Sequence, residues 1–416
     1  SGYTMELGPD SLLVDKPAAR NLLRKLNLED QLVAMLPEYR GSRIVHHGRL
    51  RPIPSEFRLF TPTSLPALLK SGIFSPAGIA RAAMEPFIPP RTGADDDESL
   101  ASFVTRRFGR EVLDRLAQPL IGGIYSGDPQ RLSMRATLPQ FLEMERKHGS
   151  LVRAMAKAKS GANGTAPQLM SLRGGLQTIV DGLSSRIGSA ARLSSEVREL
   201  SRGPAGWTIA FNDGSTAQAD AIVCALPAYA AARVLRGVDA QLAELLERIR
   251  YNSIATVNLA YDAADLPALP RTPGFVVPAV EGRSITAATI STQKYPNRSP
   301  QDGVLLRAFI GGALQPHLVE LADAELAHIA RREFAELLGI TAEPRFAVTR
   351  RWLRLLPEYG VGHVPLVASI EERAAAVGGL ALAGSAYRGV GIPDCVATGE
   401  SAGASVLAAW EAVKSG

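Results

Sequence analysis

The stretch L-A-L-A-G-S-A-Y-R-G-V-G-I-P-D-C-V-A-T-G-E-S-A-G-A-S-V-L-A-A-W, residues 380–410, sets an apolar run, a glycine-rich loop and a helix of small residues in direct succession. Leu380 to Ala383 predicts a short buried strand ending at Gly384, and Pro393 suits the first turn of the helix that follows. A helix start carries N–H groups without intrahelical partners and a partial positive charge, which together receive an anion or an electron-rich carbonyl. Gly389 and Gly391 let a ligand reach that backbone without meeting a Cβ. Ala397, Gly399, Ala402 and Ala404 allow the helix to lie close against something flat or against another backbone. Both a cofactor-facing helix and a plain tight helix–sheet contact satisfy this pattern.

Outward from this stretch, helical and alternating segments take turns. Residues 207–211 and 215–220 flank N-D-G at 212–214 and predict a hairpin, followed by an apolar strand at 221–226. A helix is expected at 239–250, where Leu242, Leu245, Leu246 and Ile249 share a face, then strands at 254–260 and 304–310 and a helix at 322–338. Leu100, Phe103, Val104, Phe108, Val112, Leu113 and Leu116 form one stripe, read as a single strong helix behind the acids Asp95 to Glu98. A Gly/Ser loop at 160–167 separates this helical region from the strands. Near the start, Tyr3 to Leu7 reads as a strand running into the turn G-P-D-S, and residues 16–36 as one or two short amphipathic helices. The class is therefore α/β with inserted lobes.

Composition excludes several functions. The chain has 416 residues, 46% hydrophobic and 21% charged, enough for two or three domains. Cys224 and Cys395 form no ligand pair and the six His show no metal spacing, so no metal site is expected, and a reducing compartment fits. The net charge of +5 is uneven: Arg40 to Phe60 holds five Arg, two His and one acid, Glu56. With no nucleic-acid motif beside it, that patch predicts a membrane surface or an acidic small molecule rather than nucleic acid. The Pro- and Ala-rich residues 62–90 are too short and interrupted to span a bilayer; they read as short buried helices, with a membrane-surface lobe as the second reading.

G-V-G-I-P-D-C after L-A-G-S-A-Y-R resembles the C-terminal flavin segment of the protoporphyrinogen and coproporphyrinogen oxidases, within the amine-oxidase flavoprotein superfamily. M-E-L-G-P-D-S-L-L at the start, A-Q-P-L-I-G-G-I-Y-S-G-D-P-Q-R-L-S-M at 117–134, F-L-E-M-E-R-K-H-G-S-L at 141–151, L-R-G-G-L-Q-T-I-V at 172–180 and R-R-W-L-R-L-L-P-E-Y-G-V-G-H at 350–363 are similar to that family too, in its order. The resemblance implies an α/β fold in which a doubly wound FAD domain carries an inserted α+β substrate domain and a helical lobe. Residues 1–20 would supply an FAD-domain strand and turn, 21–160 the lobe, 161–235 more of the FAD domain, 236–350 the substrate domain and 351–416 the closing FAD segment. It further implies oxidation of a porphyrinogen to a porphyrin in haem biosynthesis, with molecular oxygen reoxidising FAD and peroxide as by-product.

Carried over by position, Gly8, Pro9, Asp10 and Ser11 would lie near the flavin, Val197 would contact adenine through its main chain, and Trp352 would lie near the ring system. Val390, Gly391 and Ile392 would present amides to the flavin pyrimidine side, and Gly123 would approach the macrocycle. Hydride transfer from a meso carbon needs orientation rather than a strong nucleophile. A planar substrate with propionates also needs cations, for which Arg43 and Arg49 are the candidates, while Tyr125 either lines the pocket or only packs. The choice between the two porphyrinogens is not readable, although the Arg cluster leans to the one with four propionates. The localisation expected is cytoplasmic, with peripheral membrane contact left open.

One element of the pattern is missing. A strand, a G-x-G-x-x-G turn, a helix and a following acid normally hold a dinucleotide, and no segment here fits. The family places that unit in roughly the fifty residues before the first strand read here. The expectation is a chain lacking that N-terminal unit, which alone binds FAD weakly or folds poorly. Two alternatives stand beside the oxidase reading: another flavin oxidase acting on amines or carotenoids, and a truncated, non-catalytic porphyrin-binding product.

Overall fold

The computed structural model describes residues 2–54, 57–62, 65–91, 93, 97–159, 169–204 and 206–415; Asp95 and the loop at 160–167 fall outside them. Helix α1 (Pro17–Lys25) precedes a hairpin of β1 (Arg43–His46) and β2 (Arg49–Pro52), and a helical lobe then carries α2 (Leu100–Phe108) and α3 (Gln118–Tyr125). Next come β3 (Ile222–Cys224), the long β4 (Arg250–Asp262), β5 (Gly274–Val276), β6 (Ala287–Ile290) and β7 (Gly303–Gly311). Then follow α4 (Asp323–Leu338), β8 (Phe346–Glu358), α5 (His363–Val377), β9 (Leu380–Leu382) and α6 (Ile392–Ser415).

A seven-stranded sheet in the order β8-β4-β7-β6-β5-β1-β2 divides two cores. Strand alternation decides which residue goes where. On β4, Ala255, Val257, Leu259 and Tyr261 bury against Leu326, Ala330 and Phe334 of α4, while Thr256 and Asn258 point to the other face. On β1, Ile44 joins the core of the helical lobe and Val45 the α4 core. Helix α4 begins where Glu325 accepts the Ala322 N–H at 2.9 Å and stops at Gly339, which is left-handed.

The expected strand–loop–helix of residues 380–410 forms as β9 and α6. Strand β9 runs parallel to β3, with Ile222 opposite Leu380 and Cys224 opposite Leu382, and a three-stranded antiparallel sheet (Val197–Gly203, Gly206–Phe211, Thr216–Ala219) packs nearby. Among the described residues β9 pairs with β3 alone. Its surroundings open into a cleft of about 700 Å³ lined by Gly378, Gly379, Leu380, Ala397, Ser401 and Ala402. Small side chains on α6 thus keep one side of the helix open beside the strand.

Three local expectations are corrected. The stripe from Leu100 to Leu116 is buried throughout, but it belongs to several helices: Gly109, with φ +96°, breaks the run after Phe108, and a π-helical stretch at Leu113–Ala117 leads into α3. A Cβ at Gly109 would lie 2.6 Å from Arg81 Cγ, so the break is also where that side chain crosses. Of residues 16–36 only Pro17–Lys25 is α-helical; Asn27 turns left-handed and Leu32–Ala34 is a strand pairing with Leu169–Leu172. Tyr3–Leu7 is extended but joins no sheet; apart from the Thr4 N–H, which donates to Arg298 C=O at 3.1 Å, side chains hold its backbone.

Residues 65–87 form short helices as expected, burying Leu68, Ile73, Phe74 and Ala82 while Leu69, Met84 and Phe87 stay exposed. No helix among the described residues is long and apolar enough to cross a membrane.

Candidate functional site

The first segment lies across the sheet face that α4 does not cover. Leu7 C=O accepts from Thr256 Oγ1 at 2.9 Å and from Trp352 Nε1 at 2.7 Å. Arg307 Nη1 donates to the carbonyls of Glu6 (2.9 Å) and Gly8 (2.8 Å). A Cβ at Gly8 would stand 3.4 Å from Trp352 Cζ2, so bare backbone rests beside the indole, which Arg350 also covers at 5.1 Å. After Pro9, the Asp10 carboxylate accepts from Lys294 Nζ (2.7 Å), Arg307 Nη2 (2.6 Å) and Ser11 Oγ (2.6 Å), and Ser11 Oγ accepts from Tyr295 (2.8 Å). Burial pushes the Asp10 carboxyl up, but the two cations outweigh it and hold it well below the usual carboxylate range.

The glycine loop between β9 and α6 meets this segment. Gly389 has φ +147°, and a Cβ there would lie 2.5 Å from Asp394 Cγ. Only glycine admits the carboxylate that folds back beneath the loop. Asp394 pairs with Lys16 Nζ at 2.5 Å, Glu400 with Lys25 at 2.8 Å, and Ile392 packs with Leu12, Leu172 and Leu176. The N-terminal turn and the C-terminal helix are thus neighbours. Among the described residues, nothing accepts from the amides of Val390, Gly391 and Ile392.

Beside the loop stands Tyr359, buried, just past β8. Its hydroxyl donates to Ser385 C=O at 2.6 Å and accepts from Gly389 N–H at 2.8 Å. The ring stacks on His363 with centroids 4.0 Å apart and lies 6.2 Å from Tyr125. His363 Nε2 sits 3.0 Å from Tyr387 C=O; burial pushes the imidazole pKa down, against that hydrogen bond and the charge of Asp97. Tyr125 closes α3, its hydroxyl donating to Thr137 C=O at 3.3 Å, and burial, with the charge of Asp394, pushes it up to about 12. Two turns of geometry follow on α3: a Cβ at Gly123 would meet nothing within 4 Å, and the helix packs on β5 and β8.

Known proteins resemble this chain in sequence and in fold. The sequence profile of the flavin containing amine oxidoreductase family covers residues 1–407. The chain belongs to that family. As a flavin containing amine oxidoreductase it is 34% identical over 414 residues to the coproporphyrinogen III oxidase of Bacillus subtilis (strain 168), covering 98% of this chain and 87% of that one. It is 28% identical over 426 residues to the chloroplastic protoporphyrinogen oxidase of Nicotiana tabacum, covering 95% and 75%. A crystal structure from Exiguobacterium sp. 255-15, assigned as a protoporphyrinogen oxidase, superposes with a TM-score of 0.87 at 31% identity, covering 98% of this chain and 88% of that one. The cofactor of this flavin oxidoreductase is FAD.

The donor set fits one end of that cofactor. Three free amides at a helix start, with no side chain at Gly389 or Gly391, suit the carbonyl-bearing edge of a flat ring. Asp10 does not act as a free carboxylate here, because two cations and a hydroxyl already claim it. Val197 stands apart from Gly8 and Trp352, at the start of the antiparallel sheet, against the cluster that contains Leu380 and Trp207.

Arg43 and Arg49 are not brought together. In the β1–β2 ladder Arg43 faces Pro52 and His46 faces Arg49, so alternation sends Arg43 to the Val45 side and Arg49 to the Ile44 side, across the sheet from each other. Tyr359, Lys294 and Arg307 were not singled out from sequence. Tyr359 lies in the P-E-Y-G-V-G-H motif, which marks the segment but not the role, and the two cations carry no local pattern.

Proposed function

We propose that this FAD-dependent oxidase converts a porphyrinogen to the porphyrin in haem biosynthesis, with coproporphyrinogen III as the preferred substrate and molecular oxygen as the electron acceptor. The observation that carries this reading is likeness over nearly the whole chain to a coproporphyrinogen III oxidase, stronger than to the plant protoporphyrinogen oxidase. In this reading Val390, Gly391 and Ile392 hold the pyrimidine edge of the flavin through their amides, and Gly8 to Ser11 run along the ring with Trp352 as a wall. Val197 offers its main chain to the adenine. Bound FAD supplies the hydride acceptor for a meso carbon.

The remaining work falls to the chain's own surfaces. Gly123 leaves room for a macrocycle to approach the helix backbone, and Tyr125 borders that space as a neutral, apolar ring. Arg49, exposed on the lobe side of the sheet, is the better placed of the two proposed propionate partners; Arg350, exposed beside Trp352 and without an ion partner among the described residues, joins it. Orientation and exclusion of water carry the rate, since no nucleophile is called for. We place the protein in the cytoplasm, which its two unbridged cysteines support, and Leu69, Met84 and Phe87 are the residues that would touch a membrane surface.

The test is to supply FAD and each porphyrinogen separately and follow porphyrin fluorescence. Faster formation of coproporphyrin than of protoporphyrin is expected. No porphyrin from either substrate, with FAD bound, overturns the reading.

A further inference from the structure

We infer that Tyr359 is a positioning residue that sets the flavin-side loop and ties it mechanically to the helical lobe. The inference rests on the flavin reading of that loop. Between Gly384 and Gly391 the backbone joins no sheet or helix, so its shape depends on what holds its amides and carbonyls. One hydroxyl does this at two points: it receives the Gly389 N–H and donates to the Ser385 carbonyl, four residues apart. Gly389 directly precedes the three amides left free for a ligand, so tethering its N–H restricts where theirs can lie.

The same residue is anchored from the other side. Its backbone carbonyl accepts from Ser133 N at 2.8 Å, and the next residues bond to the lobe: Val361 N donates to Arg131 C=O at 2.9 Å and Gly362 N to Asp97 Oδ2 at 3.1 Å. The ring is gripped by His363 at 4.0 Å and bordered by Tyr125 of α3. A displacement of the lobe therefore reaches the loop through a buried phenol that has little freedom of its own. Tyr359 moves no proton and touches no reacting atom. It holds the loop in the shape that receives the flavin.

The test uses the full chain and Tyr359→Phe, which keeps the ring and its stack on His363 while leaving the Gly389 N–H without an acceptor. FAD affinity, read by flavin fluorescence quenching, is expected to fall about tenfold, as for one buried donor left unmade. The resolution of the bound flavin's absorption bands is expected to change as well. A folded variant with wild-type affinity and bands overturns the inference. Hydrogen exchange on the wild-type chain gives a second readout independent of any variant: slow exchange at Gly389 is expected, and exchange at the rate of an open loop amide overturns the inference. Neither measurement uses a porphyrinogen, so a wrong substrate assignment leaves both readable.

Discussion

Trp352 and Leu7, 345 positions apart in the chain, are joined by a 2.7 Å hydrogen bond from indole Nε1 to the Leu7 carbonyl. The bond lets an extended segment without strand partners keep a fixed course over the sheet. Trp352→Phe removes the donor and keeps most of the ring, and Thr256 still serves the carbonyl. The expected loss is about 1 kcal/mol of stability, measured by urea unfolding, with weaker FAD binding because Gly8 loses its support.

Gly389→Ala is expected to do more harm. The new Cβ would meet Asp394 at a positive φ, so strain and clash add to more than ~2 kcal/mol by the same unfolding assay. Adding Asp394→Ala relieves the clash. The half-exposed pair with Lys16 that this sacrifices is worth under ~1 kcal/mol, so the double variant should be the more stable of the two. Equal or lower stability of the double variant would show that the carboxylate is not what excludes a side chain.

Asp10→Asn leaves Arg307 and Lys294 facing each other in a mostly buried site without a counter-charge. A cost of about 3 kcal/mol is expected. Adding Lys294→Met should restore part of it, and a simple sum of the two single losses would mean that the three groups do not act together.

His363 makes stability depend on pH. Burial lowers its pKa, so as pH falls below about 6.5 a window opens in which the unfolded chain binds a proton that the folded one refuses. Stability from this group is present above that window and is lost as pH falls through it. His363→Gln keeps an Nε2 donor for Tyr387 and cannot titrate. Its unfolding midpoints should change less than those of the wild type from pH 7 to 5, and parallel curves would remove His363 from the account.

What the sequence revealed and what it hid divide along a physical line. Gly389, Gly391 and the small residues of α6 were readable because a strand, a bare loop and a helix start are local, and each leaves a residue signature. The stripe from Leu100 to Leu116 was readable as a buried face, but the break at Gly109 was not, since it answers to Arg81 crossing from another helix. Tyr3–Leu7 showed strand alternation yet found side-chain donors from β4, β7 and β8 instead of a partner strand. Arg43 and Arg49 looked like one cluster because spacing along the chain does not reveal on which side of a sheet each residue will emerge. Tyr359 gave no sign of its role, as its two bonds reach 26 and 30 positions away.

The packing of α1 against α6, with Lys16 on Asp394 and Lys25 on Glu400, also sets the order of events during synthesis. Residues 4–25 leave the ribosome before the groups that fix them: first Leu169–Ile179, which pair with Leu12–Leu13, receive Glu6 and pack on Leu23, then the donors and partners from Thr256 to Glu400. The lobe core can condense while translation continues, because its contacts are near in sequence. The pocket cannot: its two walls meet only when α6 emerges, so it is assembled in one later step. A nascent chain stalled before residue 390 would lack Asp394 and Glu400 and leave that flank of α1 open to chaperones and proteases.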